Sequence, residues 1–144
     1  MENSFVQRTY INSYLTFNGN CRKAMTFYKK CLGGKLTIQT IGESPLSRKM
    51  TEKMKRNILH ASLQNEELIL MASDMVGEDG LQRGNSVSMV LNCSSKSQAI
   101  ESYMKLSENG IRLHPLEKTF FGALFGDLTD KFGNHWLIHF QNNI

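Results

Sequence analysis

The chain has 144 residues, 40% hydrophobic and 21% charged, which is the make-up of one globular domain rather than a disordered tail. Its formal charge of +4 gathers partly at Arg48, Lys49, Lys53, Lys55 and Arg56. No aromatic interleaving or nucleic-acid motif accompanies that cluster, so it reads as a solvated segment and neither nucleic acid nor a membrane is the expected partner.

Three cysteines, Cys21, Cys31 and Cys93, are odd in number and lack CxxC spacing, which argues against a disulfide framework and against a zinc clip. Met1-Glu2-Asn3-Ser4 shows no basic region leading into an apolar run, and no long apolar stretch follows, so a cytoplasmic location is expected.

Tyr10 to Phe17 alternates and predicts a strand. Asn18-Gly19-Asn20 breaks it, with Asn20 placed as a helix N-cap. A helix is predicted over Cys21–Leu32, with Ala24, Phe27, Tyr28 and Cys31 as its buried stripe, and Gly33-Gly34 ends it. Lys35 to Ile41 predicts a second strand. Gly42 to Lys55, with Pro45 and many charges, reads as a loop holding a short helix near 47–54. Asn57 to Gln64 and Glu67 to Ser73 alternate again around a tight Asn65-Glu66 turn, as a hairpin requires. Gly77 to Asn85 is glycine-rich and reads as a linker.

The second half repeats this order. Ser86 to Cys93 predicts a strand, and Ser95-Lys96-Ser97-Gln98 is a capping-box pattern opening a helix to about Glu108. Ala99, Ile100, Tyr103 and Leu106 form its expected buried stripe, and Asn109-Gly110 ends it. Three strands follow near 111–117, 121–129 and 134–141, the last two joined by Asp130-Lys131-Phe132-Gly133. Setting Ala24 over Ala99 brings Tyr28 over Tyr103. The expected architecture is therefore a single α+β domain over 1–144, built of two βαβββ modules. Module one spans about residues 8–76, the linker 77–85 and module two 86–144, with helices outside curved sheets and a cleft inside.

Tyr14-Leu15-Thr16-Phe17-Asn18-Gly19-Asn20-Cys21, with Ala24 and Phe27-Tyr28, resembles the opening of the vicinal oxygen chelate superfamily, which includes glyoxalase I, extradiol dioxygenases and bleomycin-resistance proteins. More closely it is similar to the PhnB-like branch. Leu59-His60-Ala61, Met71-Ala72-Ser73-Asp74, the run from Pro115 to Gly122, Phe125-Gly126 and the run from Asp130 to Trp136 match that branch too. The branch has carried a demethylubiquinone methyltransferase label, but the chain has no glycine-rich nucleotide loop after its first strand. The resemblance implies paired βαβββ modules and a homodimer. In metal-using members, side chains of the first and last strands of each module converge on one divalent ion.

Alternation then assigns the inward side chains. In the first strand Asn12, Tyr14 and Thr16 point inward, with Asn12 nearest the ligand position and Ser13 as the register alternative. Ser88, Val90 and Asn92 are their counterparts. In the hairpin a two-residue turn pairs Leu63 with Leu68, Ala61 with Leu70 and His60 with Met71, and Leu137 stands where the last ligand would be. Asn12, Met71, Ser88 and Leu137 make a poor donor set for a hard divalent ion, so no metal and no cofactor is expected. The expected activity is binding of a small, partly apolar molecule in the cleft, lined by Asn12, Tyr14, His60, Met71, Ser88, Val90, Phe121, Phe125 and Leu137. Two alternatives stand beside it: an enzyme using His60 as general acid or base, and a dimeric interaction protein whose cleft its own side chains fill. His139 offers His60 a partner in a non-standard site, His114 reads as a surface residue, Asp74 as a turn cap and Trp136 as core.

Overall fold

The computed structural model describes residues 7–142, except for the side chain at position 46. The described residues form two four-stranded mixed sheets and three α-helices. The first sheet uses β1 (Ser13–Thr16), β2 (Lys35–Thr40), β3 (Ile58–Asn65) and β4 (Leu68–Ser73) in the order β1-β4-β3-β2. The second uses β5 (Met89–Asn92), β6 (Ile111–Lys118), β7 (Ala123–Thr129) and β8 (His135–Gln141) in the order β5-β8-β7-β6. Each contains one parallel pair, β1 with β4 and β5 with β8. The two sheets therefore share one topology, as the repeat in the sequence predicts. The helices are α1 (Cys21–Leu32), α2 (Glu52–Lys55) and α3 (Lys96–Leu106).

The chain divides into two compact units between Leu81 and Gln82, with Lys30–Leu32 grouping with the second. In the first, α1 buries Cys21, Ala24, Met25 and Tyr28, and the sheet buries Ala61, Leu63, Leu70 and Ala72 on one side. In the second, α3 buries Ala99, Ser102, Tyr103 and Leu106, and the sheet buries Leu128, Trp136 and Ile138. Among these, burying each of Met25, Leu63, Leu70, Leu106, Leu128 and Ile138 contributes about 1.5–3 kcal/mol. Ile100, expected in the α3 stripe, is instead 46% exposed. Ser102 takes the buried place, because Ala99, Ser102, Tyr103 and Leu106 recur at i, i+3, i+4, i+7 on one face and Ile100 falls outside that arc.

Helix ends also differ from expectation. Asn20 makes no side-chain cap bond; the carboxylate of Asp74, distant in sequence, accepts from Gly19 N at 2.8 Å and Cys21 N at 3.0 Å. Its second oxygen accepts from Ile58 N at 2.8 Å, and Asp74 N donates to Ile58 O at 2.8 Å. One buried carboxylate thus closes the β3–β4 hairpin and caps α1. At α3, Ser95 Oγ accepts from Gln98 N, but Gln98 Oε1 reaches back to Ser94 N at 2.7 Å, one residue earlier than a standard box. Gly33, at φ 75°, ends α1 by donating to Lys29 O.

The hairpin register is corrected by two residues. The turn is Glu66-Glu67, with Glu66 at φ 56°, so Asn65 pairs with Leu68, Leu63 with Leu70, Ser62 with Met71 and Ala61 with Ala72. A two-residue slip leaves every side chain on its own face, so alternation alone does not distinguish the two registers. Strand ends move as well. β1 is shorter than Tyr10–Phe17, Ser88 precedes β5 rather than lying in it, and Phe121 precedes β7. Gly42–Lys55 forms 3₁₀ turns at Ile41–Glu43 and Pro45–Lys49, followed by α2.

All three cysteines are unpaired. Burial first, then the neighbouring Asp74 carboxylate, pushes the Cys21 thiol up to about 12, and burial pushes Cys31 up to about 11. Burial also raises Cys93, which is only half-buried. A thiol-specific aromatic disulfide should therefore label Cys93 first, and Cys21 and Cys31 only as the chain unfolds. Folded thiols hold their protons where unfolded ones, near 9.0, have lost them. Stability should accordingly fall as pH rises above about 9, and urea titrations at rising pH would show it.

Candidate functional site

Each sheet has one buried side and one open side. On the open side of the first sheet, Tyr14, Met71, Ser62 and Thr37 form a row across β1, β4, β3 and β2. A second row holds Thr16, Ser73, His60 and Gln39, from the Thr16–Ser73 and His60–Gln39 pairs, although Ser73 itself is buried, its hydroxyl accepting from Met75 N. His60 and Met71 share this face, as alternation predicts, but Ser62 rather than His60 stands opposite Met71. Tyr14 is 50% exposed, and its ring lies 6.2 Å from that of His60. The His60 imidazole is exposed and makes no hydrogen bond among the described residues. Asn12 is half-buried and precedes β1.

In the second sheet the corresponding rows are Val90, Leu137, Asp127 and His114, and Asn92, His139, Phe125 and Glu117. Phe17 N donates to Ser73 O, and Cys93 N donates to His139 O. These matching bonds set Tyr14 equivalent to Val90, Met71 to Leu137 and His60 to Phe125. Phe125 packs edge-on to His139 with ring centroids 6.3 Å apart. His139 Nδ1 donates to Asn92 Oδ1 at 3.0 Å. His135 is structural: Nε2 donates to Gly84 O at 3.2 Å and Nδ1 takes the Thr129 hydroxyl at 2.9 Å. Ser88 is exposed ahead of β5. Phe121 sits in the β6–β7 turn, its ring 5.2 Å from and perpendicular to that of Phe120, so it is not on the strand face where alternation puts it.

Sequence reasoning missed the contact between His114 Nδ1 and Asp127 Oδ1, at 2.8 Å. Simple alternation sets His114 on the same side as Arg112, away from Asp127. Two register shifts in β6, either side of His114, overturn that. The available signal was Pro115, which in a strand marks an edge or a bulge.

A family model described as 3-demethylubiquinone-9 3-methyltransferase matches residues 9–139. The chain belongs to this PhnB-like family. Among solved structures, PA1353 from Pseudomonas aeruginosa is 36% identical over 94% of this chain and 100% of its own, with a TM-score of 0.81. A putative 3-demethylubiquinone-9 3-methyltransferase, PhnB protein, from Bacillus cereus is 22% identical over 92% and 99%, with a TM-score of 0.71. A glyoxalase/bleomycin resistance protein/dioxygenase superfamily member from Sphaerobacter thermophilus shares the fold at 19% identity, TM-score 0.59, over 93% and 98%.

The metal ion that the superfamily resemblance implies does not suit the side chains of this PhnB-like protein. Met71 and Leu137 occupy equivalent places and offer a thioether and an alkyl group, and Asn12 and Ser88 precede their strands. Hard divalent ions take carboxylate, imidazole or several oxygens. Among the described residues no three His, Cys, Asp or Glu side chains converge. β1 is followed by Asn18-Gly19-Asn20 and β5 by Cys93-Ser94-Ser95, neither a glycine-rich nucleotide loop.

Proposed function

We propose that this PhnB-like protein binds a small, partly apolar molecule on the open faces of its sheets, without a metal ion. The observation that carries the reading is the contrast between the two sides of each sheet. One side is buried against the core, whereas the other leaves Tyr14 and Val90 50% and 51% exposed. There, Met71, Leu137 and Phe125 supply apolar surface, and Tyr14, His60, Ser62 and Asn92 supply hydrogen-bonding points. Apolar surface with a few placed polar groups is the usual chemistry of a small-molecule site.

The fluorescent apolar probe 1-anilinonaphthalene-8-sulfonate tests this. The folded protein should enhance its emission; Met71→Glu and Leu137→Glu, each placing a carboxylate on the open face of its own sheet, should each lower that enhancement, and the double variant should abolish most of it. Enhancement equal in both variants and wild type contradicts the reading.

A second reading rests on the exposed, unbonded His60 imidazole beside the Tyr14 ring: an enzyme in which His60 accepts or donates a proton. Loss of turnover in His60→Ala with ligand affinity retained supports it, and turnover unchanged by that substitution contradicts it.

We further propose a homodimer, because β2 and β6 lie at sheet edges with backbone groups open to pairing. Light scattering should give twice the chain mass; the mass of one chain contradicts it. Among the described residues no helix is long and apolar enough to cross a membrane. Three unpaired thiols fit a reducing compartment such as the cytoplasm.

A further inference from the structure

The structure around His114 is built to present one imidazole nitrogen on the open face of the second sheet. In β6, Arg112 lies opposite Leu128 and Lys118 opposite Leu124, on the buried side. His114 and Glu117 lie opposite Asp127 and Phe125, on the open side. Regular alternation cannot put Arg112 and His114 on different sides; the two bulges do. Tyr103, on α3, pins the bulged strand from the buried side, its hydroxyl donating to His114 O at 2.8 Å and lying 3.4 Å from Asp127 O. Gly126 makes room for it: a Cβ there would come within 2.8 Å of Leu116 Cα and 2.9 Å of Leu116 N.

What this framework holds is a half-covered carboxylate against an exposed imidazole. The Asp127 side chain is 23% exposed and that of His114 79%. A hydrogen bond so exposed adds little stability, so stability alone does not account for the framework. A carboxylate only accepts, so in the neutral imidazole Asp127 fixes the proton on Nδ1 and leaves Nε2 as a lone-pair acceptor. Nε2 has no partner among the described residues. In the same row lie Leu137 and Val90, the latter 51% exposed, both apolar.

We infer that His114 anchors the ligand, accepting a hydrogen bond at Nε2 from a hydroxyl on a flat apolar molecule, with Asp127 as a positioning residue. The ligand class is thus a hydroxylated aromatic or similar enol, its hydroxyl at His114 and its body along Leu137 and Val90. This rests on the ligand-binding reading above and deepens it.

The test uses 2-naphthol against 2-methylnaphthalene on the full chain, followed by amide and imidazole nitrogen NMR. In wild type, 2-naphthol should shift the amides of Val90 and Leu137 and the His114 Nε2 resonance, and bind roughly tenfold more tightly than the methyl analogue. His114→Phe, which keeps a planar ring, should remove that preference while both compounds still bind. Asp127→Asn should move the ring proton toward Nε2 in the imidazole spectrum and weaken 2-naphthol alone. Equal binding of both compounds in wild type and His114→Phe overturns the anchor but leaves the binding reading standing. Failure of both compounds to shift any open-face amide overturns the two together.

Discussion

Replacing Asp74 by alanine is expected to lower the unfolding free energy by about 4 kcal/mol, read as a drop in urea midpoint at constant slope. The carboxylate serves three backbone donors, Gly19 N, Cys21 N and Ile58 N, and is 7% exposed. Alanine leaves Cys21 N and Ile58 N, both in buried residues, without an acceptor, and each such group costs about 1–3 kcal/mol. Asn is the instructive comparison. Its single carbonyl oxygen can keep the pair at Gly19 and Cys21, but its NH₂ then faces Ile58 N–H, donor against donor. Asp74→Asn should therefore lose roughly half as much. A midpoint for Asp74→Ala within experimental error of wild type would contradict the assignment of Asp74 as the tie between α1 and the β3–β4 hairpin.

Gly126→Ala should cost about 2–3 kcal/mol, although the change adds a single methyl group. The new Cβ meets backbone atoms of Leu116 at 2.8 and 2.9 Å and Tyr103 Cε1 at 3.1 Å. Neither strand backbone nor a buried ring gives way easily. Relief requires β6 to lift away from β7, which also loosens the Tyr103 hydroxyl from His114 O and the imidazole from Asp127. The substitution should thus change the His114 ring resonances as well as the midpoint. Stability within about 0.5 kcal/mol of wild type, with those resonances unmoved, would show that the bulge is not held as described.

The two-module plan was legible because its signals are local and repeated. The helical stripe from Ala24 to Cys31, the Ser95–Gln98 cap and the glycine punctuation each specify an element without knowledge of the rest, and the α1 bounds emerge as predicted. What the residues left hidden is set by contacts between distant segments. The hairpin register depends on Asp74 meeting Ile58 and on Glu66 accepting a left-handed backbone. A two-residue slip preserves the buried pattern, so hydrophobicity was silent on it. Ile100 and Ser102 exchange places because the helix face holding Ala99, Tyr103 and Leu106 includes Ser102 and leaves Ile100 outside its arc. Within the first sheet Tyr14, His60 and Met71 share one face, and within the second Val90, Phe125 and Leu137 do, as alternation groups them. His114 and Asp127 were invisible, because a bulge breaks the periodicity on which that assignment depends.

The central claim, that this chain holds a small organic molecule through its open sheet faces and not through a metal ion, is most directly tested by native mass spectrometry. The measurement belongs on protein purified without added ligand or chelator, with metal content determined on the same sample. The predicted result is a bound organic species that is released on denaturation and missing from Leu137→Glu, with no divalent metal near one per chain. Stoichiometric zinc, nickel or iron that survives dialysis, with no organic species bound, would contradict it.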